Sequence, residues 1–165
     1  TAAIIGSMQG DGLLPPPKPE SPYYYGNNKK LNTLLLTENK KKIEIGNSNV
    51  QISIPKGLWL KNSISSLINE TLSKKKSFEL SGYYLGKSII LPINIYNENF
   101  EEFAKKENLV KINENTYSNK FEDKSKKIKL YQIIKKIDDN AFAVINFDDV
   151  NDKSKNFFLE LMKDW

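Results

Sequence analysis

The stretch SFELSGYYLGKSIILPINIYNENFEEFAKK, residues 77–106, decides the fold class. Residues 78–85 are rich in aromatic residues, residues 88–96 are rich in isoleucine, and Gly86-Lys87 supplies a turn signal between them. This pattern predicts two adjacent antiparallel strands. A helix is predicted next, at about 98–106, because Asn97 or Asn99 can cap it, glutamates fill its first turn and lysines its last.

Further strands and helices are predicted on both sides of this stretch. Residues 41–45 and 50–54 alternate apolar and polar side chains around a Gly46-Asn47-Ser48-Asn49 turn, which predicts a hairpin. The remaining predictions are a short helix within 61–76, a short strand at 109–112 with a loop to 126, a second hairpin at 127–137 and 141–147, and a closing amphipathic helix at about 153–164 with Asp152 as its N-cap. The order of elements predicts an α+β domain, an antiparallel sheet covered by helices, over residues 40–165.

Residues 1–39 differ in composition from the rest of the chain. Five of the seven prolines lie within residues 1–28, together with several glycines. Such a segment favours extended conformations and builds no core, so we expect a disordered Pro/Gly-rich leader or tether. The leader and the absence of cysteine favour an exported bacterial protein, periplasmic or anchored as a lipoprotein, with a cytoplasmic location as the alternative.

Three missing residue types narrow the chemistry. The chain has no Cys and no His, which excludes Ser-His-Asp and Cys-His catalysis, disulfides and zinc-thiolate sites. It also has no Arg, the preferred residue for reading base edges, which argues against sequence-specific nucleic-acid binding. Asp148, Asp149 and Asp152 lack the spacing of a calcium loop. We therefore predict a non-enzymatic domain with no catalytic residue, metal or cofactor; a hydrolase based on paired carboxylates is an alternative.

Aromatic residues near turns and strand ends are the best candidates for ligand binding. They are Trp59, Tyr83, Tyr84 and Tyr96, which are expected to line a concave apolar site. The alternative is that these side chains pack in the core.

The lysines suggest a second kind of surface. The net charge is +5, but residues 120–136 hold seven lysines and two acidic residues, whereas residues 137–165 hold three lysines and seven acidic residues. If the basic segments meet, they attract lipid head groups, glycans or nucleic acid. The predicted basic surface comprises Lys74, Lys75, Lys76, Lys126, Lys127 and Lys129, and the alternative is a set of ordinary solvated lysines.

One stretch resembles a known group of families. Residues 50–59, VQISIPKGLW, are similar to the opening strand, Pro, x-Gly and Trp of the PsbP/DcrB-like families, and residues 93–100 and 141–144 resemble their later elements. The resemblance covers about residues 41–165 and implies an α/β/α sandwich. It also implies an exported or lipid-anchored accessory protein without enzymatic activity, which binds a protein partner in the cell envelope.

Overall fold

The computed structural model describes residues 22–63, 77–125, 128–147 and 153–165, with the backbone alone at 121–123 and 128–130. The helices are α1 (Lys29–Thr37), α2 (Phe100–Glu107) and α3 (Lys155–Leu161). The strands are β1 (Lys40–Glu44), β2 (Gln51–Pro55), β3 (Leu58–Asn62), β4 (Ser77–Tyr84), β5 (Lys87–Tyr96), β6 (Val110–Asn113), β7 (Thr116–Asp123), β8 (Ile128–Asp138) and β9 (Ala141–Phe147). None of the described helices is long and apolar enough to cross a membrane.

Seven of these strands form one antiparallel sheet, in the order β3-β4-β5-β9-β8-β7-β6. Two meanders, β3-β4-β5 and β6-β7-β8-β9, meet where β5 pairs with β9. The chain passes from the centre of the sheet to its far edge through α2. β1 and β2 form a separate hairpin. The predicted α+β class with an antiparallel sheet and helices is confirmed.

The main core lies on one face of the sheet, which we call the core face. Alternation in β5 directs Ile89, Leu91, Ile93 and Ile95 to this face, and all four are buried. The hairpin, α1 and α3 contribute the opposing apolar side chains. Burying one such side chain stabilises the fold by about 1.5–3 kcal/mol, so this layer is the main source of stability.

A smaller cluster lies on the opposite face, which we call the outer face. Phe100 and Phe103 of α2 pack on Phe142 of β9, with Phe103 and Phe142 stacked at 4.5 Å between ring centroids. Asn99 caps this helix, since its Oδ1 accepts a hydrogen bond of 2.9 Å from the backbone N–H of Glu102. Of the two predicted caps, the structure therefore uses Asn99.

The packed region begins before Lys40, the predicted start of the folded part. Asn28 caps α1, and the side chains of Leu31 and Leu35 are buried in the main core. Tyr24 is buried as well, and its hydroxyl donates to the backbone oxygen of Asn28 at 3.0 Å. Residues 22–39 are thus packed against the domain, whereas the rest of the predicted leader lies outside the described residues.

Two other predictions need correction. The segment 109–126 contains a full strand, β7, in addition to the short strand; β7 pairs with β8 along its whole length, and its Tyr117 packs against Phe100 of α2. The last helix begins at Lys155 with Ser154 in the N-cap position, so the predicted cap at Asp152 is wrong. The helix predicted within 61–76 falls largely outside the described residues, and Leu58–Asn62 form β3.

Candidate functional site

The four predicted aromatic residues do not form one site. Trp59 and Tyr83 lie on the outer face of neighbouring strands, and Tyr84 necessarily projects from the opposite face, where it packs against the main core. Tyr96 stacks on Phe142 beside α2, with 5.3 Å between the ring centroids. The structure therefore brings together two of the four predicted residues.

A residue from the predicted leader joins that pair. Tyr23 forms a parallel bridge with Ile90, since the N–H of Ile90 donates to Pro22 O at 2.6 Å and the N–H of Tyr24 donates to Ile90 O at 2.8 Å. The register across the sheet is then Trp59, Ser81, Ile90 and Tyr23. Three strand spacings of about 4.8 Å place the two aromatic ends of this row about 14 Å apart.

We call Tyr23, Trp59 and Tyr83 the aromatic face. These residues are 37%, 49% and 64% exposed, respectively, whereas Ser81, which lies in the row between Trp59 and Ile90, is buried. Strand alternation explains the arrangement: in β4, Phe78 and Leu80 point to the core face, whereas Ser81 and Tyr83 point outwards. No sequence signal identifies Tyr23 as a member, because its position depends on backbone hydrogen bonds to β5.

Charges beside the aromatic face are of opposite sign. Lys61 of β3 and Glu79 of β4 lie opposite each other in the strand register. They are on the same face as Trp59 and Ser81, two residues along each strand. The carboxylate of Glu79 contributes to a raised pKa at Tyr23, where burial is the larger cause. Tyr23 therefore remains a neutral hydrogen-bonding group at physiological pH.

Tyr84 occupies a polar junction on the core face. Its hydroxyl donates to Glu38 Oε2 at 2.6 Å, and the backbone N–H of Gly57 donates to Glu38 Oε1 at 2.6 Å. Burial and the Glu38 carboxylate both raise the pKa of Tyr84 well above its usual value. One carboxylate thus joins the end of α1, the turn between β2 and β3, and β4.

A cleft of about 570 Å³ opens beside this junction, within the size range of small-molecule sites. It is lined by Pro22, Tyr23, Tyr24, Asn28, Leu31, Tyr84, Leu85, Lys87, Ser88 and Ile89. Tyr23 and Tyr84 both contribute to its walls, which connects the aromatic face to the junction. None of these lining residues is acidic.

Tyr96 lines a second cleft, of about 260 Å³, beneath α2. Burial is the main cause of the raised pKa of Tyr96, and the carboxylates of Glu98 and Glu79 add to it. The carboxylates of Glu98 and Glu107 also line this cleft.

Most of the predicted basic surface lies beyond the described residues. This holds for Lys74, Lys75, Lys76, Lys126 and Lys127, and the side chain of Lys129 is also outside the described part. Among the described residues, no group of three or more acidic side chains is arranged to hold a metal ion. The acidic residues 148, 149 and 152 lie outside that part of the chain.

The fold and the aromatic face define an α+β antiparallel-sheet domain with an exposed aromatic surface. No family model, curated protein or solved structure matches the chain.

Proposed function

We propose that this chain is a non-enzymatic binding or accessory domain of an exported bacterial protein or lipoprotein, which contacts a protein partner in the cell envelope. The observation that carries the proposal is the aromatic face, where three exposed rings lie on one face of the sheet, on β3, on β4 and on the segment that pairs with β5. Trp and Tyr are the residues that most often dominate binding energy at protein interfaces, because they bury a large area and retain a polar group.

The charge pattern favours a protein over a polyanion at this surface. Lys61 and the buried Glu79, opposite each other beside the aromatic face, carry opposite charges, so this pair adds no net charge of one sign there. Anionic lipids and nucleic acids draw much of their affinity for a protein from a basic field. Interleaved aromatic and polar groups are typical of protein contacts instead.

We also propose a more specific fold, an α/β/α sandwich. Helices α1 and α3 pack on the core face and α2 packs on the outer face, which supports the α/β/α sandwich of the PsbP/DcrB-like families. Accessory roles without catalysis are what that resemblance implies.

Site-specific crosslinking tests the proposed contact. A photoreactive phenylalanine analogue replaces Tyr83 in the full chain, expressed in the bacterium that carries the gene; the control places it at Lys105, an exposed residue of α2. We expect one protein to crosslink from Tyr83 and not from Lys105. The partner is then purified and its Kd for the chain is measured.

Alanine variants decide whether the aromatic face is the contact. Trp59→Ala and Tyr83→Ala are each expected to raise Kd at least about tenfold, the effect of losing an interface hot spot. Val110→Ala is the matched control, because Val110 is also 64% exposed but lies on the edge strand β6. Equal Kd values for all three variants would refute the proposal. The proposal would also be refuted if Trp59→Ala and Tyr83→Ala weakened binding to vesicles or glycans and left protein binding unchanged.

A carboxylate-based hydrolase remains the enzymatic alternative, and the cleft beneath α2 is where it would act. Glu98 and Glu107 both line this cleft, and paired carboxylates are the minimum that glycoside hydrolysis requires. Turnover of envelope glycans that disappears in both Glu98→Gln and Glu107→Gln would favour this alternative over the binding domain.

A further inference from the structure

A groove on the core face, at the far end of the sheet from the aromatic face, has the features of a ligand site. Its volume is about 310 Å³. It lies where β7 and β8 extend beside α3, so the sheet forms its floor and the helix contributes one wall. We call it the basic groove; its lining residues include Ile112, Ser118, Lys120, Tyr131, Phe147 and Lys155.

The basic groove combines an apolar floor with two cations. Phe147 and Ile133 are buried members of the main core whose surfaces reach the groove, and Tyr131 is half-buried beside them. Lys120 projects from β7 and Lys155 begins α3, so the two ammonium groups come from different elements of the fold. Both residues line the groove, so the tertiary structure and not one basic segment brings them to the same site.

Neither cation is neutralised within the described part of the chain. The Nζ of Lys120 lies 5.7 Å from the centroid of the Tyr131 ring, a cation–π contact that orients the ammonium group without removing its charge. Among the described residues, no carboxylate forms an ion pair with Lys120 or Lys155, and no acidic side chain lines the groove. Within that part of the chain, both lysines are therefore available to pair with an anionic ligand.

The size of the groove limits the ligand. A water molecule takes about 30 Å³ of liquid, so a groove of this volume accommodates a molecule of roughly ten non-hydrogen atoms. The apolar floor favours a hydrocarbon portion, and the lysines favour a negatively charged head group. A medium-chain carboxylate has both properties and the right size.

We propose that the basic groove binds a medium-chain monocarboxylate, with its head group at Lys120 and Lys155 and its alkyl chain on Ile133 and Phe147. This site is distinct from the aromatic face, and it stands or falls independently of the proposed protein partner.

Calorimetry with sodium octanoate below its micelle concentration tests the proposal on the full chain. We expect saturable binding of octanoate, at least tenfold weaker binding of acetate because it lacks the chain, and at least tenfold weaker binding of octanol because it lacks the charge. Higher salt should weaken octanoate binding, since the contact is partly ionic. Octylammonium that binds as tightly as octanoate would overturn the proposal.

Variants localise the binding. Lys120→Gln and Lys155→Gln are each expected to weaken octanoate binding about fivefold, and the double variant about twentyfold or more. Lys105→Gln, an exposed lysine of α2, is the matched control and is expected to bind as the wild type does. Methyl NMR of Ile133 gives a second readout that does not depend on the variants: its signals should shift on addition of octanoate. Unchanged affinity in the double variant, or unshifted Ile133 signals, would refute the site.

Discussion

Replacing Leu35 with alanine tests whether α1 is part of the folded unit. Leu35 is fully buried in the main core, although the composition of the chain places it in a leader. Removing a fully buried leucine side chain loses its burial energy and leaves a cavity, which costs about 2–5 kcal/mol. We expect Leu35→Ala to lower the free energy of unfolding by about 3 kcal/mol, which corresponds to a fall in Tm of about 6–12 °C for a chain of this size.

The adjacent residue provides a matched control on the same helix. Leu34 is 38% exposed, and Leu34→Ala is expected to cost about 1 kcal/mol or less. The measurement is urea unfolding followed by far-UV circular dichroism, with both variants and the wild type at one protein concentration. Equal losses in the two variants would show that α1 does not contribute to the core, and a folded region starting near Lys40 would then be correct.

Three further predictions concern contacts that join separate elements. The raised pKa of Tyr84 keeps its phenol protonated in the folded state at a pH where the unfolded phenol ionises, so the free energy of unfolding should fall as pH rises above about 10. Urea titrations at pH 8 and pH 10.5 should show a smaller fall for Tyr84→Phe than for the wild type. Equal falls in the two proteins would contradict the assignment. Gly57→Ala would place a methyl carbon 2.7 Å from Tyr84 Cζ, so thermal melts should show a loss of about 1–3 kcal/mol, and a melt like that of the wild type would exclude this close packing. Trp165→Phe removes a hydrogen bond of 2.8 Å from the indole N–H to Ser53 O and should cost about 1 kcal/mol in urea unfolding, whereas no loss would show that this bond does not hold the chain end.

The sequence predicts the strands whose side chains alternate and whose ends carry turn residues. The β4-β5 and β8-β9 hairpins and helix α2 all lie within two residues of their predicted bounds. In each of them, local pattern and tertiary burial agree, since the isoleucines at alternate positions in β5 are the ones that the core face requires.

The two missed elements depend on contacts that a local pattern does not record. The apolar stripe of α1 is short, and the prolines before it dominate the composition of the segment. The Asn28 cap and the spacing of Leu31 and Leu35 are the signals that identify the helix. β7 is polar along much of its length, and it is fixed by its pairing with β8 along the whole strand and by the packing of Tyr117 against Phe100.

The candidate sites also combine features that a local sequence pattern predicts with features that depend on tertiary contacts. Alternation alone predicts that Tyr83 and Tyr84, as neighbours in one strand, project from opposite faces, so they cannot share a single surface. The pairing of Tyr23 with β5, and the placement of Lys120 and Lys155 on one groove, follow from how distant segments pack. These positions are visible only in the folded structure.

The two proposed surfaces should therefore act independently. Trp59 is on the outer face of β3 and Lys120 is on the core face of β7, five strand spacings away in the sheet order. At about 4.8 Å per spacing, these positions are about 24 Å apart, beyond the distance at which substitutions usually couple. Trp59→Ala should leave octanoate affinity unchanged, and Lys120→Gln should leave partner affinity unchanged. A change in either affinity of more than about twofold would show that the sheet transmits an effect between its two faces.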